Sequence, residues 1–126
     1  FLNVLDNVAL LPMLAGVPND TARASALEIL TALDVQHRVH AMPGQLSGGE
    51  QQRITIARAL ATNSDVILAD EPTGNLDEER EGEIVEIFKR LAHDNQKAVI
   101  VVTHSQEVAE KSDVTYRLKK GNLINE

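Results

Sequence analysis

Two runs of mostly branched aliphatic residues, Val66-Ile67-Leu68-Ala69 and Ala98-Val99-Ile100-Val101-Val102, constrain this chain more than any other feature. Each run is continuous rather than alternating, which predicts a strand buried on both faces, as in a parallel sheet. Between them, Asp77 to about His93 reads as a helix, with Ile84, Ile87, Phe88 and Leu91 at the i, i+3, i+4, i+7 spacing of one helical face. Its early turns carry Glu78, Glu79, Glu81 and Glu83 and its end carries Lys89, Arg90 and His93, an order that complements the helix dipole. Strand, helix, strand makes a βαβ unit with an expected right-handed crossover. The fold class is therefore α/β.

The residues just beyond each strand carry chemistry. The first run ends in Asp70-Glu71-Pro72-Thr73-Gly74 and the second in Thr103-His104. In α/β sheets, ligands bind beyond the C-terminal strand ends. There Asp70 is suited to hold magnesium, directly or through water. Glu71 is suited to orient or deprotonate an attacking water. Taken alone, residues 70–74 read equally as a polar turn, and a lone histidine is more commonly structural. Neighbouring strand ends of a parallel sheet lie side by side, however, so His104 is expected close to Glu71. An imidazole there can donate a hydrogen bond to a terminal phosphate oxygen.

The front half is helical. Leu2 to Ala15 is mostly apolar and stops at Gly16-Val17-Pro18. Asn19 or Asp20 is expected to cap the next helix, whose stripe is Ala22, Ala26, Ile29, Leu30 and Leu33. A polar stretch, Gln36 to His40, and a turn at Met42-Pro43-Gly44 precede helical spacing from Glu50 to about Ala61. Ser47-Gly48-Gly49 opens that helix, where the first N–H groups are unpaired and the positive dipole end faces outward. Glycine removes the Cβ atoms that keep an anion away from those groups, and Ser47 adds a hydroxyl. The alternative is a plain serine N-cap after a Pro-Gly turn. Asp77 likewise reads as the N-cap of its helix. Downstream, Ser105 to Lys111 is a short helix, and Val114–Leu118 and Leu123-Ile124 close a hairpin around Lys120-Gly121-Asn122. The expected organisation is a helical part over 1–63 and an α/β part over 64–126, joined near Ser64.

Composition narrows the function classes. The chain has 126 residues, enough for one domain with a modest core. Twelve basic against nineteen acidic residues give a net charge of −7, so nucleic acid finds no electrostatic footprint. No apolar stretch of ~20 residues is present to form a spanning helix. Cysteine is absent, which rules out disulfides and thiolate metal sites, and aromatics are only 2%, leaving Ala, Leu, Ile and Val to build the core. His37, His40 and His93 show no metal-ligand spacing and read as surface residues. Starting at Phe1 with no signal peptide, the chain reads as part of a longer one.

Together these residues resemble the ATP-binding cassette (ABC) ATPases. Leu46-Ser47-Gly48-Gly49-Glu50-Gln51 is similar to the signature motif, and Val66 to Glu71 to the Walker B strand with its catalytic glutamate. Gly74 to Asp77 resembles the D-loop, and Thr103-His104 the switch histidine. Glu50, where many members have Gln, and Asn75 point to the branch of lipoprotein release, macrolide export, antimicrobial-peptide resistance and cell division. Asn7 to Pro12 resembles that branch's helical subdomain just after the Q-loop. No Gly-x-x-x-x-Gly-Lys-Ser/Thr occurs, and the adenine-stacking aromatic and the Q-loop glutamine are missing too. The resemblance therefore implies the C-terminal part of a P-loop NTPase cassette, a helical subdomain followed by a partial, mainly parallel sheet with flanking helices.

In the family, ATP lies between two cassettes. The resemblance implies that Ser47, Gly48, Gly49 and Glu50 meet ATP bound by a partner cassette, and that Asp70 serves Mg2+ and Glu71 the water. It also implies that His104 serves the γ-phosphate and Asp77 the contact across the dimer. It further implies a transmembrane permease partner and a cytoplasmic, peripheral position at the inner face of the cell membrane. By itself this chain is expected to be inactive, because nothing grips the β-phosphate. In the family fold a further strand lies between the Ala98–Val102 and Val114–Leu118 strands. Without it open apolar edges remain, so the isolated chain is expected to exchange elements in a swapped oligomer or to be poorly stable. Two other classes compete. A chromosome-maintenance or DNA-repair ATPase fits less well, since sustained heptads are absent. A non-enzymatic piece acting only through protein contacts is the other.

Overall fold

A computed structural model describes residues 2–74 and 76–125. Asn75, which helped to choose the branch, lies outside the described residues. The chain divides into two compact units, one running to Ile67 and the other from Leu68 onward.

The first unit is helical. Helix α1 (Val4–Leu14) is capped by Asn3, whose side chain accepts from the Asp6 N–H at 2.8 Å. It ends as the sequence predicts, at a left-handed Gly16 (φ +94°), with Gly16 N–H donating to Met13 and Val17 N–H to Pro12. That pair of bonds satisfies carbonyls the helix end would otherwise leave open. Helix α2 (Asn19–Ala32) corrects one expectation: the N-cap position is Pro18, not Asn19 or Asp20, and no side chain caps it. Proline's fixed φ sets up the first turn one residue early, and Pro18 C=O accepts from Ala22 N–H at 2.9 Å. Asp20 then sits inside the first turn, where its charge still suits the dipole.

Of the predicted α2 stripe, Ala22, Ala26, Leu30 and Leu33 are buried and Ile29 is half-buried. Two short 3-10 turns, Gln36–Arg38 and Pro43–Gln45, lead to α3 (Gly48–Ala61). Helix α3 packs on both α1 and α2. Val4, Val8, Ala9, Val35, Ile54, Ile56 and Ala57 complete this unit's core. Full burial of one Leu30-sized side chain is worth roughly 1.5–3 kcal/mol.

In the second unit, β1 (Val66–Asp70), which begins just before the boundary, pairs with β2 (Ala98–Val102). The Glu71 N–H donates to Val102 C=O at 2.8 Å, which sets the two C-terminal ends side by side. The strands therefore run parallel, joined through α4 (Glu78–His93). Helix α4 buries Ile84, Val85, Ile87, Phe88 and Leu91, the predicted stripe and one neighbour. A short helix α5 (Gln106–Glu110) and an antiparallel pair, β3 (Tyr116–Lys119) and β4 (Asn122–Asn125), complete the unit. The hairpin turn is Lys120-Gly121, both left-handed (φ +49° and +80°), the geometry that matches strand twist.

The expectation that the strands are buried on both faces is corrected. Ile67 is buried, but Leu68 is 75% exposed, and Val66, Ile100 and Val102 are exposed as well. Among the described residues, β1–β2 and β3–β4 are separate two-stranded sheets. A continuous aliphatic run specifies a strand. Whether both its faces are covered depends on elements elsewhere.

Candidate active site

The ends of β1 and β2 bring Glu71 and His104 together. His104 Nε2 lies 3.4 Å from Glu71 Oε1. The other carboxylate oxygen, Oε2, accepts from the Thr103 hydroxyl at 3.5 Å and from the His104 backbone N–H at 3.4 Å. These are contacts at the long limit of hydrogen bonding, enough to orient the carboxylate. Glu71 itself stands in the left-handed region at φ +45°, which no pattern in the sequence announces. A non-glycine residue held there costs on the order of 1–3 kcal/mol and persists only where its surroundings fix it. Here they do: its N–H is tied to Val102, and its C=O accepts from Gly74 N–H at 3.2 Å to close a turn. The His104 side chain is 99% exposed and the Glu71 side chain 37%, so an incoming molecule can reach both.

The loop carrying His104 is anchored on both sides. Ser105 N–H donates to the Thr103 hydroxyl at 3.0 Å, and the Ser105 side chain caps α5 by accepting from Val108 N–H at 3.3 Å. The same hydroxyl donates to Glu81 on α4. Asp70, at the end of β1, is exposed, and among the described residues no group pairs with its carboxylate. An unpaired hard-oxygen donor of this kind fits magnesium, which takes one or two carboxylates together with substrate phosphates. Asp77 caps α4 by accepting from Arg80 N–H at 3.0 Å and pairs with the Arg80 guanidinium at 3.5 Å.

The second cluster belongs to the helical unit. Ser47 Oγ accepts from Glu50 N–H at 3.2 Å, while Glu50 Oε2 accepts from Ser47 N–H at 2.8 Å, a reciprocal capping box. The capping reading of Ser47 is thus part of the structure. It leaves the N–H groups of Gly48 and Gly49 without an acceptor among the described residues, at the positive end of a fourteen-residue helix. Glu50 does more than cap: its Oε1 lies 3.3 Å from Arg38 Nε and 3.4 Å from His37 Nε2. Its pKa is lowered, first by the Ser47 backbone N–H and then by Arg38 and the side chains of His37 and Ser47, against an opposing effect of burial. In the sequence, Arg38 and His37 are only members of a polar stretch. Their partner lies across a turn, and no local periodicity reveals such a pair.

The sequence profile of the ABC transporter family matches residues 2–74. This chain belongs to the ABC transporter family. It is 44% identical over 119 residues to the lipoprotein-releasing system ATP-binding protein LolD of Rickettsia felis, covering 94% of this chain and 54% of that protein. To the macrolide export ATP-binding/permease protein MacB of Bartonella henselae it is 43% identical over 123 residues, 98% of this chain and 18% of that one. Among solved structures, the dimeric post-hydrolysis state of the ATP-binding cassette MJ0796 bound to ADP and Pi is similar with a TM-score of 0.85 and 38% identity. The likeness covers 100% of this chain and 56% of that one. The fold is thus part of an ABC cassette of the P-loop NTPase class. The chain spans about half the length of the LolD relatives it matches. Among the described residues, no helix is long and apolar enough to cross a membrane.

Proposed function

We propose that the chain forms the signature and Walker B part of an ATP-hydrolysing subunit of a membrane transporter. In this reading, Glu71 orients the attacking water and takes up its proton, and His104 donates a hydrogen bond to the terminal phosphate. The Ser47 hydroxyl and the Gly48 and Gly49 N–H groups receive the γ-phosphate of ATP held by a second cassette. Asp77 contacts that cassette. Asp70 would hold Mg2+, which neutralises charge on the phosphates. Catalysis of this kind is mainly positioning and charge stabilisation. The observation that carries the reading is the left-handed Glu71, with His104 3.4 Å from its carboxylate at the end of a parallel strand pair.

The proposal extends to the assembly. Residues 1–63 act as the helical subdomain and 64–126 as part of the catalytic core, with a permease subunit or domain as transmembrane partner. The likeness to LolD and MacB supports export or extraction from the membrane, with the subunit peripheral at the cytoplasmic face. By itself the 126-residue chain is inactive, because its sequence holds no Gly-x-x-x-x-Gly-Lys loop to grip the β-phosphate.

The test is ATP hydrolysis by the full-length protein assembled with its partners. Glu71→Gln is expected to lower the rate by at least about 100-fold, the scale of lost general-base catalysis. An unchanged rate removes Glu71 from this role. Clear turnover by the isolated chain, lost on Glu71→Gln, would show that the missing loop is dispensable.

A further inference from the structure

The loop that presents Ser47 and the two glycines is held by a charged side chain outside it. Arg38, in the Gln36–Arg38 turn, donates through Nη2 to the Gln45 C=O, at the start of that loop. Its Nε lies 3.3 Å from Glu50 Oε1, at the loop's far side. Nε is buried and has no aligned hydrogen-bond acceptor, so this arm is an ion pair. His37 Nε2 approaches the same Oε1 at 3.4 Å. Glu50 in turn holds the Ser47 N–H with Oε2 at 2.8 Å. The loop is also fixed from within, by Met42 N–H donating to Gln45 Oε1 at 2.8 Å and Gln51 Nε2 to Leu46 C=O at 3.2 Å. One guanidinium thus spans both ends of the segment from Gln45 to Glu50, as a planar fork can and a point charge cannot.

We infer that Arg38 is a positioning residue for the signature loop, clamping Gln45 and Glu50 so that the Ser47 hydroxyl and the Gly48 and Gly49 N–H groups are preset for phosphate. This rests on the ATPase reading above, and it gives Glu50 a role through the loop rather than by touching ATP. Donors fixed before the reaction stabilise developing charge without reorganising, whereas a small misplacement is costly. The clamp therefore acts on turnover more than on nucleotide binding by one subunit.

Two measurements on the full-length protein assembled with its partners test this. In Arg38→Ala, kcat for ATP is expected to fall about tenfold, equivalent to about 1.4 kcal/mol of barrier, with nucleotide affinity of the single subunit unchanged. Arg38→Lys should recover part of the rate, because it keeps the charge but not the fork. Glu50→Gln should lose less than Arg38→Ala, because glutamine preserves the cap on Ser47 and the Gln45 arm remains. The second readout is amide hydrogen exchange without ATP. Exchange at the hydrogen-bonded Ser47 and Glu50 amides should quicken in Arg38→Ala while the α2 core amides stay protected. Wild-type kcat in Arg38→Ala overturns the inference, as does loss of rate, affinity and α2 protection together, which marks a merely structural residue. If the wild-type rate proves insensitive to Glu71→Gln, the ATPase reading fails. The exchange experiment then judges the clamp by itself, and unchanged exchange at the Ser47 and Glu50 amides defeats it.

Discussion

The helical unit encloses Val4, Val8, Leu30 and Val35 completely, whereas the strand-bearing unit leaves Leu68, Ile100, Val102, Leu118 and Leu123 exposed although they are just as apolar. The first set meets its partners within about sixty residues of local sequence, as three helices close on one another. The second set sits on two separate two-stranded sheets; α4 packs against β2, yet all five side chains stay open to water. Apolar character alone does not stabilise; an apolar group stabilises when a neighbour removes it from water. The same contrast separates the two candidate clusters. The signature loop is braced by several contacts, two of them hydrogen bonds of 2.8 Å. The Glu71 and His104 side chains are open and meet at 3.4 Å, a looseness that fits the proposed reaction, in which they admit a substrate.

Substitutions in the two units should differ accordingly. The largest effect is expected in the helical core: Leu30→Ala should destabilise the chain by about 2–5 kcal/mol in chemical denaturation, from lost burial plus a cavity. Ser47→Ala should cost about 1 kcal/mol, the usual value of an N-cap. Its loss in turnover in the assembled protein should exceed that stability loss if the hydroxyl also meets phosphate.

A smaller effect is expected from Glu50. Its folded pKa lies below the usual 4.5, so its contribution to stability is present above that value and is lost as pH falls through the depressed folded value. Denaturation of wild type and Glu50→Gln compared from neutral pH downward should show the gap shrinking below about pH 4.5 and not before. At the small end, Leu68→Ser in the isolated chain should change stability by no more than about 0.5 kcal/mol, as for an exposed site. A Leu68 cost matching that of Leu30 would mean the sheet face is covered. The open apolar faces should also make the isolated chain self-associate in light scattering. A monomer at all concentrations would remove that expectation.

Much of the molecule is legible in the sequence, for identifiable reasons. The stripes of α2 and α4 are readable because period and partner are both local, and the Gly16 stop because left-handed backbone favours glycine. The nearness of Glu71 and His104 comes from parallel strand ends. The start of α2 is misplaced by sequence reasoning because Pro18 can begin a helix without a side-chain cap. The burial of β1 and β2 is overestimated because a run of Val and Ile does not say what lies across from it. The strain at Glu71 and the Arg38 clamp are invisible, since one arises from backbone geometry and the other from a pair twelve residues apart across a turn.

If the strand-end carboxylate and the α3 N-terminus serve ATP held between two subunits, nucleotide must drive pairing. Light scattering of the full-length Glu71→Gln protein with and without ATP and Mg2+ reads subunit pairing while turnover is blocked. A dimer that forms only with nucleotide is the predicted result. A monomer that binds ATP yet never pairs would contradict the account.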